Sequence, residues 1–469
     1  MRKTGIVLIV CIGMLVNVFP ALRAQEVKTF TLQQAQQYAI DNNYQIKNAK
    51  TDIEIAKQKV KENTAIGLPQ VNASASYSYF MDIPTTLIPD FLSPAIISVN
   101  EDIFGLEPIV EVSGEPQYFE ASFGSPHNAT WGASISQLIF SGQYLIGLKA
   151  AKAYETLTQS TYEKSEIEIK DAVAKAYYPV IIIKENKNYL DSTLVSMKKM
   201  LYETEEYYNN GFREDTDVDQ MKLMIADLET ALAYMDNRLE LATNMLKFML
   251  GIKPEEQIEV TETVDALLLS VNNEFLINSN FDFNSNIDYN MLKKGEQLTY
   301  LQMRLRKSEY LPTMSAYYQY QQNGLRDQFD FFDFSKNWYP SQVIGVQLDI
   351  PIWSSGMRKY KVNQAKLALD KAKVQDTELQ QRLNLTVETY RSEFNNAYLI
   401  YNNRLKNLEI AKRIYQKTEV KYKEGISNSL ELSTSYNQYL SSEINYLTSI
   451  LDLLLKKSDL DKLLTKATN

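Results

Sequence analysis

The chain has 469 residues, of which 45% are apolar and 23% charged, with a formal net charge of -9. An acidic balance of this size excludes a general nucleic-acid binder. One cysteine, Cys11, and one histidine, His127, leave little for disulfide, thiolate or imidazole chemistry, while 31 Tyr against 18 Phe and 3 Trp suit surfaces that touch apolar material and water together.

Residues 1–24 read as an export signal: Arg2 and Lys3 precede the apolar run Ile6 to Val18, and small Ala24 ends it. Loss of Arg2, Lys3 and Arg23 with that segment takes the net charge to -12. Cys11 lies inside the signal behind Leu8, Ile9 and Val10, so neither a lipid anchor nor a mature thiol is expected. No later apolar run approaches the roughly 20 residues of a membrane-spanning helix. Any entry into a membrane has to be made by strands.

A first helix is marked by Leu32, Ala35, Ala39, Ile46, Ala49, Ile53, Ala56 and Val60. After Pro69 the period changes to two, and a strand over about 69–82 sets Val71, Ala73, Ala75, Tyr77 and Tyr79 against Asn72, Ser74, Ser76 and Ser78. A long loop rich in Pro, Gly and acids, Met81 to His127, leads to a second strand over about 128–141, where Trp131, Ala133, Ile135 and Ile139 alternate with Thr130, Gly132, Ser134 and Ser136. The run 143–208 holds one glycine, Gly147, and one proline, Pro179. Its apolar positions keep 3-4 spacing through Ile169, Val173, Ala176, Val180, Ile183, Leu190, Leu194, Met197 and Leu201. A tight turn at Gly211 precedes a helix over about 215–250.

Residues 251–285 interrupt the helical pattern between the halves. The second half, 286–469, repeats the plan of 25–250. Strands are expected over about 312–322, with Met314, Ala316, Tyr318 and Tyr320 on one face, and over about 341–353, with Ile344, Val346, Leu348 and Ile350. A helix over about 357–422 without Gly or Pro, a turn at Gly425 and a helix over about 429–464 follow. The last helix carries two apolar seams, one of Leu432, Tyr436, Tyr439, Tyr446, Ile450 and Leu453, the other of Leu440, Ile444, Leu447, Leu451 and Leu454. Gly142 and Gly356 stand 214 positions apart, as do Gly211 and Gly425, so the helices between them have equal length. Each such run would reach about 100 Å as a helix.

Four strands of about 10 residues with an apolar and a polar face match transmembrane strands, yet a bilayer-spanning barrel starts at about eight. The chain is therefore expected to oligomerise. The aromatics Phe329, Phe331, Phe332 and Phe334 between the last two strands fit the headgroup level of a bilayer.

The order of elements, the repeated Leu-Pro entry to a strand (Leu68-Pro69, Leu311-Pro312), the motif Ser136-Gln137-Leu138-Ile139-Phe140-Ser141-Gly142 and the duplicated Tyr-x-x-Gly turns resemble the TolC family of outer-membrane efflux proteins. The resemblance spans about Leu32 to Leu464, and it implies that 251–285, with the stretch after Leu455, is an equatorial linker. It implies a mainly α fold with a membrane β-barrel portion: a homotrimer in which each protomer gives four strands to a shared 12-stranded barrel, continued by a long periplasmic helical coiled-coil barrel. It also implies no cofactor, metal or enzymatic role, and a passive conduit for an efflux or type I secretion system whose partners are a periplasmic adaptor, an inner-membrane pump and outer-membrane lipid.

On the family pattern, Thr216, Asp217, Tyr422 and Glu431 fall at the periplasmic gate. The family's locking arginine is replaced by Ser427 and its second constricting acid by Thr434, so either the lock is looser in this protein or Arg213 supplies the cation from the other turn. Gly211 and Gly425 are the expected adaptor-contact turns, and Pro69, Gly142, Pro312 and Gly356 the strand–helix junctions. The acids near both turns also suit helix capping. Two rival classes remain to be weighed. An enzyme lacks a nucleophile–base pattern or a phosphate loop here; a periplasmic coiled-coil scaffold explains the helices but not four amphipathic strands.

Overall fold

The computed structural model describes residues 27–89, 118–271 and 281–466. The signal segment with Cys11, the middle of the long loop (90–117) and part of the linker (272–280) lie outside the described residues.

In chain order the elements are β1 Lys28–Phe30, α1 Leu32–Asn42, α2 Tyr44–Ala65, β2 Gln70–Tyr79, β3 Thr85–Pro89, β4 Tyr118–Ser122, β5 His127–Ser141, α3 Gly142–Asn209 and α4 Asp215–Leu250. Then come β6 Ile258–Val260, α5 Val264–Leu269, a 3-10 turn Phe283–Ser285, α6 Ile287–Ser308, β7 Thr313–Arg326, β8 Tyr339–Asp349, α7 Met357–Lys423 and α8 Ser429–Leu464. Packing gathers them into two compact units, each drawn from both halves of the sequence. One holds residues up to Asp52, Gln159–Met291 and those from Thr377; the other holds Ile53–Thr158 and Leu292–Asp376.

The second unit is built on an antiparallel sheet in the order β2-β5-β7-β8. Opposed residues of an antiparallel pair share a face, so the register sorts every side chain. Val71, Ala73 and Ala75 oppose Ile135, Ala133 and Trp131; Ile135 and Ala133 oppose Tyr318 and Tyr320; Met314, Ala316 and Tyr318 oppose Leu348, Val346 and Ile344. One face is therefore apolar across all four strands. On the other, Asn72, Ser74 and Ser76 meet Ser134, Gly132 and Thr130, and Gln319, Gln321 and Asn323 continue the row. The apolar face is bare: Ile344 is 85% exposed and Val71 69%. A register shift between Leu138 and Phe140 inserts one residue, so Phe140 rather than Ile139 pairs with Met314. The long loop also contains a small ribbon, β3 paired with β4, which the residue pattern does not announce.

Four sequence landmarks sit at the ends of these strands. Pro69 and Pro312 stand directly before β2 and β7, Gly142 opens α3, and Gly356, with a φ of 83°, stands directly before α7.

The first unit is helical. Its larger core joins Ala35, Ala39 and Ile46 to Val173, Tyr177 and Ile181 of α3, Leu246 and Leu250 of α4, and Leu447, Ile450 and Leu454 of α8. Tyr177 donates its hydroxyl to the carbonyl of Phe30 at 2.9 Å. That bond ties α3 to β1, which pairs in parallel with β6. The first helix of the sequence reading is two, because Asn43 is extended. Its buried side chain accepts the Gln45 N–H at 2.7 Å and donates to the Met249 carbonyl at 2.8 Å, so the break is tied to the end of α4. α3 runs through Pro179 as one 68-residue helix and α7 has 67 residues. Of the two expected seams on α8, Leu432, Tyr436, Ile450 and Leu453 are buried, whereas Ile444 is exposed. Among the described residues no helix is long and apolar enough to cross a membrane, and no group of three or more metal-ligating side chains gathers.

Candidate functional site

A second, smaller core within the helical unit packs Met197 and Met200 of α3, Met221, Ile225 and Leu228 of α4, and Tyr422, Leu432 and Tyr436 of α7 and α8. It holds the two helix–helix turns beside each other. Each turn closes in the same way. Gly211 donates to the Tyr208 carbonyl at 2.9 Å and Phe212 to Tyr207 at 2.9 Å; Gly425 donates to Tyr422 at 3.0 Å and Ile426 to Lys421 at 2.8 Å. These paired bonds require a left-handed residue, and the two glycines supply φ values of 76° and 72°.

Arg213 crosses from the first turn to the second. Its guanidinium donates to the backbone carbonyls of Tyr422 and, at 3.3 Å, Ser427, and its Cζ lies over the Tyr422 ring, 4.1 Å from the centre. The Asp217 carboxylate stands 3.8 Å away. Both side chains are only 12% exposed, so the pair is shielded from water more than a surface bridge is.

Asp217 has a further partner. Its Oδ1 accepts the backbone N–H of Ser429 at 3.1 Å, which caps not its own helix but α8. Asn428 caps the same helix through the Glu431 N–H at 2.9 Å. The Tyr422 hydroxyl and the Thr204 hydroxyl are 3.1 Å apart in a buried pair. Burial is the main cause of the raised pKa of Tyr422, opposed by the Thr204 hydrogen bond and the positive charge of Arg213.

The structure thus brings Arg213, Asp217 and Tyr422 together. Glu431 is exposed, and its Oε2 accepts the Ser427 hydroxyl at 2.6 Å. Thr216 does not join them; it is exposed, and its hydroxyl donates to Glu214 at 3.3 Å. Thr434 donates to the Leu430 carbonyl of its own helix. Sequence reasoning missed Thr204 and the Gln220–Ser433 side-chain bond at 3.2 Å. Arg213 and Ser427 stand 214 positions apart, the offset of the glycine pairs, so the internal repeat was the signal that could have placed the two turns face to face.

Residues 296–465, which include β7, β8, α7 and α8, match the family model described as outer membrane efflux protein. The match covers this part of the chain, about a third of its length. Over nearly its full length the chain has the fold of outer-membrane efflux channels. It superposes on CusC, whose crystal structures concern transmembrane channel formation, with a TM-score of 0.68 at 14% identity, covering 93% of this chain and 92% of the other. The outer membrane protein VceC of Vibrio cholerae gives 0.65 at 14% identity, with 93% and 97% covered. The Campylobacter jejuni CmeC outer membrane channel gives 0.65 at 16%, with 93% and 87%. Comparison by sequence with curated proteins finds no match. At these identities the likeness is one of fold: a four-stranded antiparallel sheet with long paired helices.

Proposed function

We propose that this protein is one protomer of an outer-membrane efflux channel, passively conducting cargo that a periplasmic adaptor and an inner-membrane pump deliver. The observation that carries the reading is the sheet. One face is apolar and bare over four strands, the other is lined with Ser, Thr, Asn and Gln, and β2 and β8 are left at open edges. Unpaired backbone edges have no water to bond with in lipid, so the edges must meet those of other copies. Three copies with four strands each close a barrel of twelve whose polar faces line the lumen.

Under this reading the helices extend into the periplasm and the two glycine turns form the far tip, where Gly211 and Gly425 present the adaptor contact. Arg213, Asp217 and Tyr422 hold the turns of one protomer together. Exposed Glu431, repeated by threefold symmetry, becomes a ring of carboxylates that favours cations and impedes anions.

Fractionation tests the proposal. The mature protein should stay with detergent-extracted outer membrane, run as a trimer after crosslinking and give discrete conductance steps in planar bilayers. Release by osmotic shock as a water-soluble species would favour a periplasmic scaffold and overturn it.

A further inference from the structure

At the helix-proximal end of the two middle strands lies an apolar cleft of about 370 Å³, lined by Phe140, Gly142, Leu145, Ile146 and Leu311 together with Arg304, Lys307 and Ser308 of α6. Phe140 opposes Met314, which in turn opposes Leu348, so Phe140 belongs to the apolar face of the sheet. The cleft continues that face past the last strand residues. Gly142 keeps it open to Leu311: a Cβ at this position would collide with the Leu311 side chain. Phe140, Leu145 and Leu311 are each between 39% and 50% exposed, an unusual concentration of apolar area for a strand–helix corner.

Two cations frame this apolar floor. Arg304 and Lys307 are three residues apart on one side of α6 and both are exposed. Neighbouring cations are matched: Arg306 bonds Glu309 at 2.7 Å, and Lys361 reaches the same carboxylate at 3.4 Å. Arg304 and Lys307 have no such partner among the described residues. The cleft lies at the end of the two inner strands, β5 and β7, away from the open edges β2 and β8.

An apolar trough beside two unmatched cations, at the rim of a bare apolar sheet face, has the chemistry of an anionic amphiphile: acyl chain below, phosphate above. We propose that this cleft binds an anionic phospholipid of the periplasmic leaflet, with Arg304 and Lys307 on its phosphate and Phe140, Leu145, Ile146 and Leu311 against its chains. The proposal rests on the outer-membrane reading above.

The test is native mass spectrometry of the detergent-purified full chain with phosphatidylglycerol, phosphatidylcholine of the same chains, or inorganic phosphate. Wild-type protein should retain one phosphatidylglycerol per chain with about tenfold preference over phosphatidylcholine, as two interfacial cations imply. The double variant R304Q/K307Q should bind both lipids alike, and Leu145→Asn should weaken both. Equal retention of the two lipids by the wild type, an unchanged preference in R304Q/K307Q, or displacement of the lipid by inorganic phosphate would each overturn the proposal. Crosslinking and fractionation of the same preparations separate the two failures: a membrane-bound trimer without the preference sinks only this inference, whereas a soluble monomer sinks the channel reading.

Discussion

The guanidinium of Arg213 donates to the backbone carbonyl of Ser427 across 3.3 Å, and the two residues occupy the same place in successive halves of the chain, 214 positions apart. The repeat has kept one geometry and changed one chemistry. Arg213 pairs with the acid four residues on, Asp217, and Ser427 pairs with the acid four residues on, Glu431. The first is an ion pair and the second a hydroxyl–carboxylate hydrogen bond, so one cation serves both turns.

Arg213→Ala should therefore loosen the tip. It removes two hydrogen bonds from a charged donor and leaves Asp217 without its cation, a loss of about 1.5–3 kcal/mol per charged bond at most. If closure depends on these bonds, the closed channel should leak roughly tenfold more for each 1.4 kcal/mol lost. Arg213→Lys should fall between, since a point charge cannot fork to two carbonyls and stack on Tyr422. Planar-bilayer conductance and uptake of bulky antibiotics measure both; unchanged values in Arg213→Ala alongside a rise in Asp217→Ala would remove Arg213 from the lock.

The two acids of the turns should separate in their effects. Asp217→Ala strips a buried cap from α8 and should cost about 1–2 kcal/mol of stability as well as raising leak. Glu431→Gln keeps the Ser427 partner and the Asn428 cap, so its melting temperature should stay near wild type while cation selectivity of the conductance falls. A melting shift in Glu431→Gln as large as that of Asp217→Ala would mean its charge is structural.

Much of this architecture was legible in the residues, for physical reasons that differ by element. Period-two alternation in Val71 to Tyr79 leaves one assignment of faces, and the register of β2 against β5 keeps it. The near absence of Gly and Pro over 143–208 and 357–422 sets the long helices, observed as Gly142–Asn209 and Met357–Lys423. What escaped depends on partners distant in sequence. The break at Asn43 is tied to the Met249 carbonyl, the extra residue in β5 to its pairing with Met314, and the β1–β6 pair to residues 230 positions apart. At the turns, residue type suggested capping by Asp217, but only packing shows that the capped helix is α8.

Glu443 on α8 gives a pH-dependent test of the helical unit. Burial raises its pKa above the ordinary 4.5, Lys412 opposes the shift and Glu185 adds to it. The fold therefore holds this proton more tightly than the unfolded chain does. Its favourable contribution is complete below 4.5 and is lost as pH rises through the folded value, above which a half-buried carboxylate remains. Glu443→Gln should raise the melting temperature by about 1–2 °C at pH 7, with the gain shrinking as pH falls toward 4. A gain that persists unchanged at acid pH would assign the effect to packing instead.

The sharpest test of the sheet uses adjacent residues of one strand. Val346 opposes Ala316 on the apolar face and Gln347 opposes Ser315 on the polar one. In a barrel, Val346→Lys places a cation against lipid, at a cost of about 2–4 kcal/mol near the bilayer midplane, whereas Gln347→Lys adds one to a wet lumen. Val346→Lys should therefore reduce the yield of heat-modifiable trimer in the outer membrane. Gln347→Lys should leave that yield intact and alter conductance, since each copy adds a charge to the lumen. In a soluble scaffold both positions would be solvated surface, both variants would accumulate normally, and neither would change any current. Equal yields of the two variants would accordingly contradict the assignment of faces, and reversed yields would require the apolar face to line the lumen.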